Sequence, residues 1–161
     1  MKLKDLLEKS MLAGKHDIKE TLEIIRSISK KYGISPVPAV KFKSSLNPHR
    51  GHTTTGLYAY YDFDRDIMWI SKAMNKNINE FLKSVIHELY HVKDSRKYGK
   101  SKFIQKYEME MNYLVTVGKD EYKDNKFEIA AEKFANKHYK TWANEFKNKL
   151  QMRANPDDDG F

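Results

Sequence analysis

One stretch, Glu80 to Lys97, constrains this chain more than any other. Phe81, Leu82, Val85, Ile86, Leu89 and Val92 recur at spacings of three and four, which predicts an amphipathic helix with a wide apolar face. Asn77 or Asn79 supplies its cap. The same turns carry His87, Glu88 and His91. Burying two imidazoles and a carboxylate in such surroundings is costly unless partners satisfy them. The fold must therefore bring an ion or a polar network to this helix.

The spacing His87-Glu88-Leu89-Tyr90-His91 favours an ion. Residues four apart lie one turn above each other, so both imidazoles can point at one metal. Glu88, beside the first histidine, can take a proton from a water at that metal. With six histidines in 161 residues, chance gives roughly 0.01 occurrences of the pattern in a shuffled chain. The chain has no cysteine, so a site must use His, Asp and Glu. Zinc, Zn2+, is the expected ion.

A zinc that activates water needs a third protein ligand and an open fourth position. The downstream run Phe127-Glu128-Ile129-Ala130-Ala131-Glu132 places two glutamates four apart on another helix. Glu128 is the expected ligand, with Glu132 orienting a ligand histidine from behind. Glu132, Glu108, Glu110 and His138 are the alternatives for the third donor. The small Ala131 and Ala135 would let this helix approach the metal helix.

Elsewhere the pattern is helices, a small sheet, then helices, an α+β arrangement. Leu3, Leu6 and Leu7 open a first helix, and Ile18, Leu22, Ile25 and Ile28 mark a second, capped by Asp17 and ended at Gly33. Val37–Phe42 reads as a strand, and Gly56–Ser71 as a hairpin turning at 62–66. Further helices are expected over 102–117, closed by Gly118, and over 126–150, with Phe127, Ala130, Phe134, Trp142, Phe146 and Leu150 as the apolar stripe. Residues 1–150 form one domain on this reading, and 151–161 a flexible acidic tail.

HELYH followed by a helix bearing Glu128 and Glu132 resembles the gluzincin arrangement of metallopeptidases. The Phe127–Ala135 segment is similar to the matching stretch of ImmA/IrrE-type metallopeptidases, many of them phage-encoded. It departs from that pattern at Ala130 and Glu132, where the group has glutamate and asparagine. The hairpin followed by the metal helix is also the order in SprT-like proteins, whose zinc ribbon this cysteine-free chain cannot build. The resemblance implies a zincin-like fold: a small, mainly antiparallel sheet whose hairpin packs against the HExxH helix, with further helices at the C-terminal side. It implies a zinc metallopeptidase acting on a protein or peptide substrate, with Glu128 as third ligand and Glu132 behind a histidine. It also implies an edge strand at Leu57–Tyr61 along which substrate adds, and a Tyr or His that stabilises the oxyanion. Tyr107, Tyr113, His138 and Tyr139 are available for that role, and His138 and Tyr139 are the expected substrate contacts.

Net charge is +8, with Asp157, Asp158 and Asp159 crowded near the end, so the remainder is more basic still. That attracts polyanions and makes weak nucleic-acid binding a second expected partnership. His49, Arg50 and His52 lie in a polar loop that could meet phosphate. The tail is expected to be an inert, solvated end; the alternatives are that it docks on a basic partner or folds back over this chain's own cleft. The charged N-terminal run is no signal peptide, and no membrane span is expected, so the expected location is cytoplasmic, the host cytoplasm for a phage protein. Two rival readings stand beside the peptidase: a nucleic-acid-associated protein and an inactive zincin kept as a binding module.

Overall fold

The computed structural model describes residues 15–44, 46, 58–72 and 77–154. The leading helix through Leu3, Leu6 and Leu7, the loop holding His49, Arg50 and His52, and the tail beyond Ala154 lie outside these residues.

Helix α1, Lys15–Lys31, already includes Asp17, which is therefore not its cap. Ile24, Ile25 and Ile28 are fully buried. Gly33 ends the helix at φ +68°, a left-handed conformation that glycine adopts without strain. The Ile34 N–H then returns to the Ser29 carbonyl at 2.8 Å.

Three strands follow, β1 (Ala39–Lys43), β2 (Ala59–Asp62) and β3 (Ile67–Ser71), in the spatial order β1-β3-β2. β2 and β3 form the hairpin, with Tyr61 opposite Met68. β1 runs parallel to β3, with Phe42 opposite Ile70. The sheet is thus mixed, not mainly antiparallel. Only the hairpin register is set by a tight turn; the long connection from β1 to β2 leaves room for a crossover that puts β1 on the far side of β3. Ala59, Tyr61, Met68 and Ile70 face the core, as strand alternation requires.

Helix α2, Ile78–Tyr98, is capped by Asn77, whose side-chain oxygen accepts from the Glu80 N–H at 3.2 Å. Gly99, at φ +84°, separates it from α3, Lys100–Thr116. The last helix, α4, spans Lys126–Ala154. It outruns the expected end at Leu150 by one turn because residues 151–154 are all helix-compatible and the next breaker is Pro156.

α2 is the central element, with β2 on one side and α4 along another. Phe81, Leu82, Val85, Ile86, Leu89 and Val92 are all fully buried. On α4 the buried stripe is Phe127, Ala131, Ala135, Trp142, Ala143, Phe146 and Leu150; Ala130 and Phe134 lie at its margin. The i,i+4 rows, rather than the i,i+3 rows, meet α2. Among the described residues, no helix is long and apolar enough to cross a membrane.

Candidate metal centre

The apolar face of α2 fixes which way its polar residues point. With Ile86 and Leu89 held in the core, His87 and His91 project toward the first two turns of α4 and are only 7% and 2% exposed. Ala131 and Ala135, both fully buried, remove the side-chain bulk that would hold the two helices apart. The start of α4 is set by Asn125, buried, whose side-chain oxygen accepts the Phe127 N–H at 3.0 Å. That cap places Glu128 opposite the histidines and Glu132 one turn further on.

Three donor groups converge. His87 Nε2 lies 2.8 Å from Glu128 Oε2, His91 Nε2 lies 3.2 Å from Glu128 Oε1, and the two Nε2 atoms are 3.2 Å apart. A tetrahedral zinc with bonds of about 2.0–2.1 Å would hold its ligands roughly 3.3 Å apart, so these separations are those of one face of such a site. Two ring nitrogens face one carboxylate and each other, and the His87, His91 and Glu128 group could bind a metal ion. The rear of His87 is also held: Nδ1 faces Glu132 Oε2 at 3.2 Å, and Glu132 in turn accepts from Lys83 at 3.0 Å. A carboxylate behind a ligand imidazole fixes its tautomer and strengthens it as a donor. His91 Nδ1, by contrast, is buried and has no partner.

The electrostatics agree with a cation-seeking site. Burial pushes His87 down, but hydrogen bonds to Glu128 and Glu132 outweigh it and raise the imidazole to about 10. Burial likewise pushes Glu128 up, yet the His91 charge and hydrogen bonds from both histidines hold its carboxyl well below the usual carboxylate range. For Glu132, the His87 hydrogen bond comes first and Lys83 adds to it, lowering the group to about 2.

Glu88 stands apart from the three donors. Its Oε2 accepts the backbone N–H of Tyr61 at 2.9 Å, and burial raises its pKa. Tyr61 belongs to β2, an edge strand. The Ser71 N–H bonds to the Tyr58 carbonyl at 2.9 Å, so in this register Tyr60 also pairs toward β3 while Ala59 and Tyr61 turn their backbone groups to the free edge. Arg96, at the far end of α2, locks the hairpin in place. Its guanidinium donates to both oxygens of Asp66 at 2.9 Å and to the Pro36 carbonyl at 3.0 Å. Asp66 sits at φ +55° and also accepts from the Tyr61 hydroxyl at 2.6 Å.

Aromatic side chains close the His91 side. Phe63, from the hairpin turn, stands edge-on to His91 at 5.8 Å between centroids and contacts Phe103 and Tyr107. The Tyr107 hydroxyl donates to Glu128 Oε1 at 2.5 Å, and Tyr122 hydrogen-bonds the same carboxylate. Tyr122 carries no motif and sits outside every helix, so the sequence alone did not mark it. His138 stacks on Phe134 and Tyr32, with centroids 4.5 and 4.9 Å away, and Tyr139 packs on the core; neither lines the cleft beside His87. Tyr113 is 61% exposed, Glu110 pairs with Lys126, and Glu108 is exposed.

A cleft of about 520 Å³ opens beside His87 and Glu128, lined also by Tyr122, Lys123, Ile129, Glu132 and Lys133. Comparison of the chain with protein-family models, curated proteins and solved structures finds no match in any of the three.

Proposed function

We propose that this protein is a zinc-dependent metallopeptidase with a zincin-like active site. The observation that carries the reading is the placement of Glu88. It is a half-buried carboxylate next to the converging donors, bound to none of them, and hydrogen-bonded to an edge strand. Two imidazoles with one carboxylate suit zinc, which in this setting supplies Lewis acidity toward a carbonyl and acidifies water.

The chain's own residues supply the rest. His87, His91 and Glu128 would hold the ion, and Glu132 keeps His87 oriented through Nδ1. Glu88, raised by burial, is suited to accept a proton on its carboxylate and later return it to a departing amine. Tyr107 and Tyr122 point hydroxyls at the centre and exclude water from the His91 side. Glu88→Gln should keep full zinc affinity and lose peptide hydrolysis; loss of the metal instead would mean Glu88 is a ligand and the assignment is wrong.

A second reading, nucleic-acid association, is favoured by the outer face of the sheet. Trp69 there has Lys43 Nζ 4.1 Å and Lys41 Nζ 5.7 Å from its ring centroid, with Tyr60 paired beside it on β2. Aromatic rings interleaved with lysines are the chemistry of single-strand stacking. Lys41→Ala with Lys43→Ala should then weaken binding of a single-stranded oligonucleotide; unchanged binding removes this reading.

A further inference from the structure

The cleft beside His87 has a charge balance of its own. Besides Glu128, three charged side chains line it: Lys123, Glu132 and Lys133. Glu132 is already engaged, by His87 on one oxygen and by Lys83 on the other. That leaves the ammonium groups of Lys123 and Lys133, both exposed, and neither forms an ion pair among the described residues. Tyr122 and Ile129 line the same cleft, Ile129 being 51% exposed. An apolar lining with two free cations is complementary to a short aliphatic stem with an anionic head. A volume of about 520 Å³ admits a residue of that kind with room for its backbone.

We propose that this cleft is a specificity pocket for a carboxylate of the substrate, read by Lys123 and Lys133 beside the scissile bond. The proposal rests on the peptidase reading above and names the substrate class: peptides with an acidic residue next to the cleaved bond, or with their own C-terminal carboxylate there. Lysine is a point-charge donor, so it accepts either source without demanding a planar, two-pronged match. Because both ammonium groups are solvated, the preference should be moderate and should weaken with salt.

The test uses the full chain loaded with zinc and sets of quenched-fluorescence peptides. One set carries Glu or Gln next to the cleaved bond, and the other ends in a free acid or an amide. Their binding to the Glu88→Gln protein is measured in parallel by fluorescence anisotropy. The acidic member of one set should be bound and turned over roughly three- to tenfold better than its neutral twin. The set that shows the difference identifies the source of the carboxylate. Lys123→Gln with Lys133→Gln should abolish the advantage without changing the neutral peptides, while Lys119→Gln with Lys140→Gln, exposed lysines elsewhere, should leave it intact. Equal treatment of acidic and neutral peptides in both sets, or an advantage that survives in the Lys123/Lys133 double variant, overturns the proposal. If no peptide is hydrolysed but the Glu88→Gln protein still selects the acidic one through these lysines, the peptidase reading fails and the pocket stands.

Discussion

Replacing Glu128 by alanine separates a metal centre from an ordinary buried ion-pair cluster. The carboxylate is 6% exposed and sits 2.8 and 3.2 Å from the two imidazoles, so its removal takes away the one group that faces both. Zinc sites with full ligand sets bind with about 10–16 kcal/mol, and one donor's share is about 3–5 kcal/mol. Glu128→Ala should therefore lower zinc affinity by roughly 10²- to 10⁴-fold. Glu132→Ala removes only the support behind His87 and should cost about 10- to 100-fold. Affinities are measured by competition with a chromophoric chelator, and stability by melting with and without zinc. At free zinc a hundredfold above Kd, the wild-type protein gains about 2.7 kcal/mol, or roughly 5–10 °C in a domain of this size. The Glu128→Ala protein should show almost none of that rise at the same zinc concentration. If it keeps wild-type affinity, or if Glu132→Ala loses more metal than Glu128→Ala, the ligand assignment is refuted.

Four further outcomes are expected. Zinc uptake at pH 7 should release about one proton, because His87, held at about 10 without metal, must become neutral to bind it; affinity should climb about tenfold per pH unit between pH 6 and 8. Calorimetry in buffers of different ionisation enthalpy reads the proton count, and a count near zero contradicts a protonated His87. In the metal-free protein the same raised pKa gives a stabilisation present in full below the unfolded value near 6.5 and lost as pH rises through about 10, which denaturant midpoints at pH 7 and 10.5 would show. Arg96→Ala should destabilise the protein by about 1.5–3 kcal/mol in urea unfolding and lower turnover more than zinc affinity, since it frees the hairpin that carries the Tyr61 N–H; a loss of metal instead would place Arg96 in the centre's support. Nucleic-acid binding, if it occurs, should fall steeply between 50 and 200 mM salt, and a flat response would exclude phosphate contacts.

Features set by nearby residues could be read before the fold was known. The α2 periodicity, the Asn cap, the glycine stop at Gly33 and the hairpin turn are all decided within a few residues. The relation of Glu128 to Glu132 belongs here too, because one helical turn fixes it. Other features depend on which surfaces meet. The parallel pairing of β1 with β3 joins segments with no common turn. Tyr107 and Tyr122 reach Glu128 only after α3 and the 120–125 turn fold over the site. His138 has suitable chemistry and lies on the right helix, but ten residues beyond Glu128 it falls among Tyr32, Phe134 and Trp142, in the aromatic cluster between α1 and α4. Chemistry nominates residues; packing decides which of them arrive.

The length of α4 sets a distance from the candidate centre. From Glu132 to Ala154 the helix runs 22 residues, about 33 Å at 1.5 Å per residue. The far end of this helix therefore stands about six turns from the carboxylates that face His87. A reporter group attached there would report on melting without touching the metal donors, so its signal and zinc affinity can be read independently on one molecule.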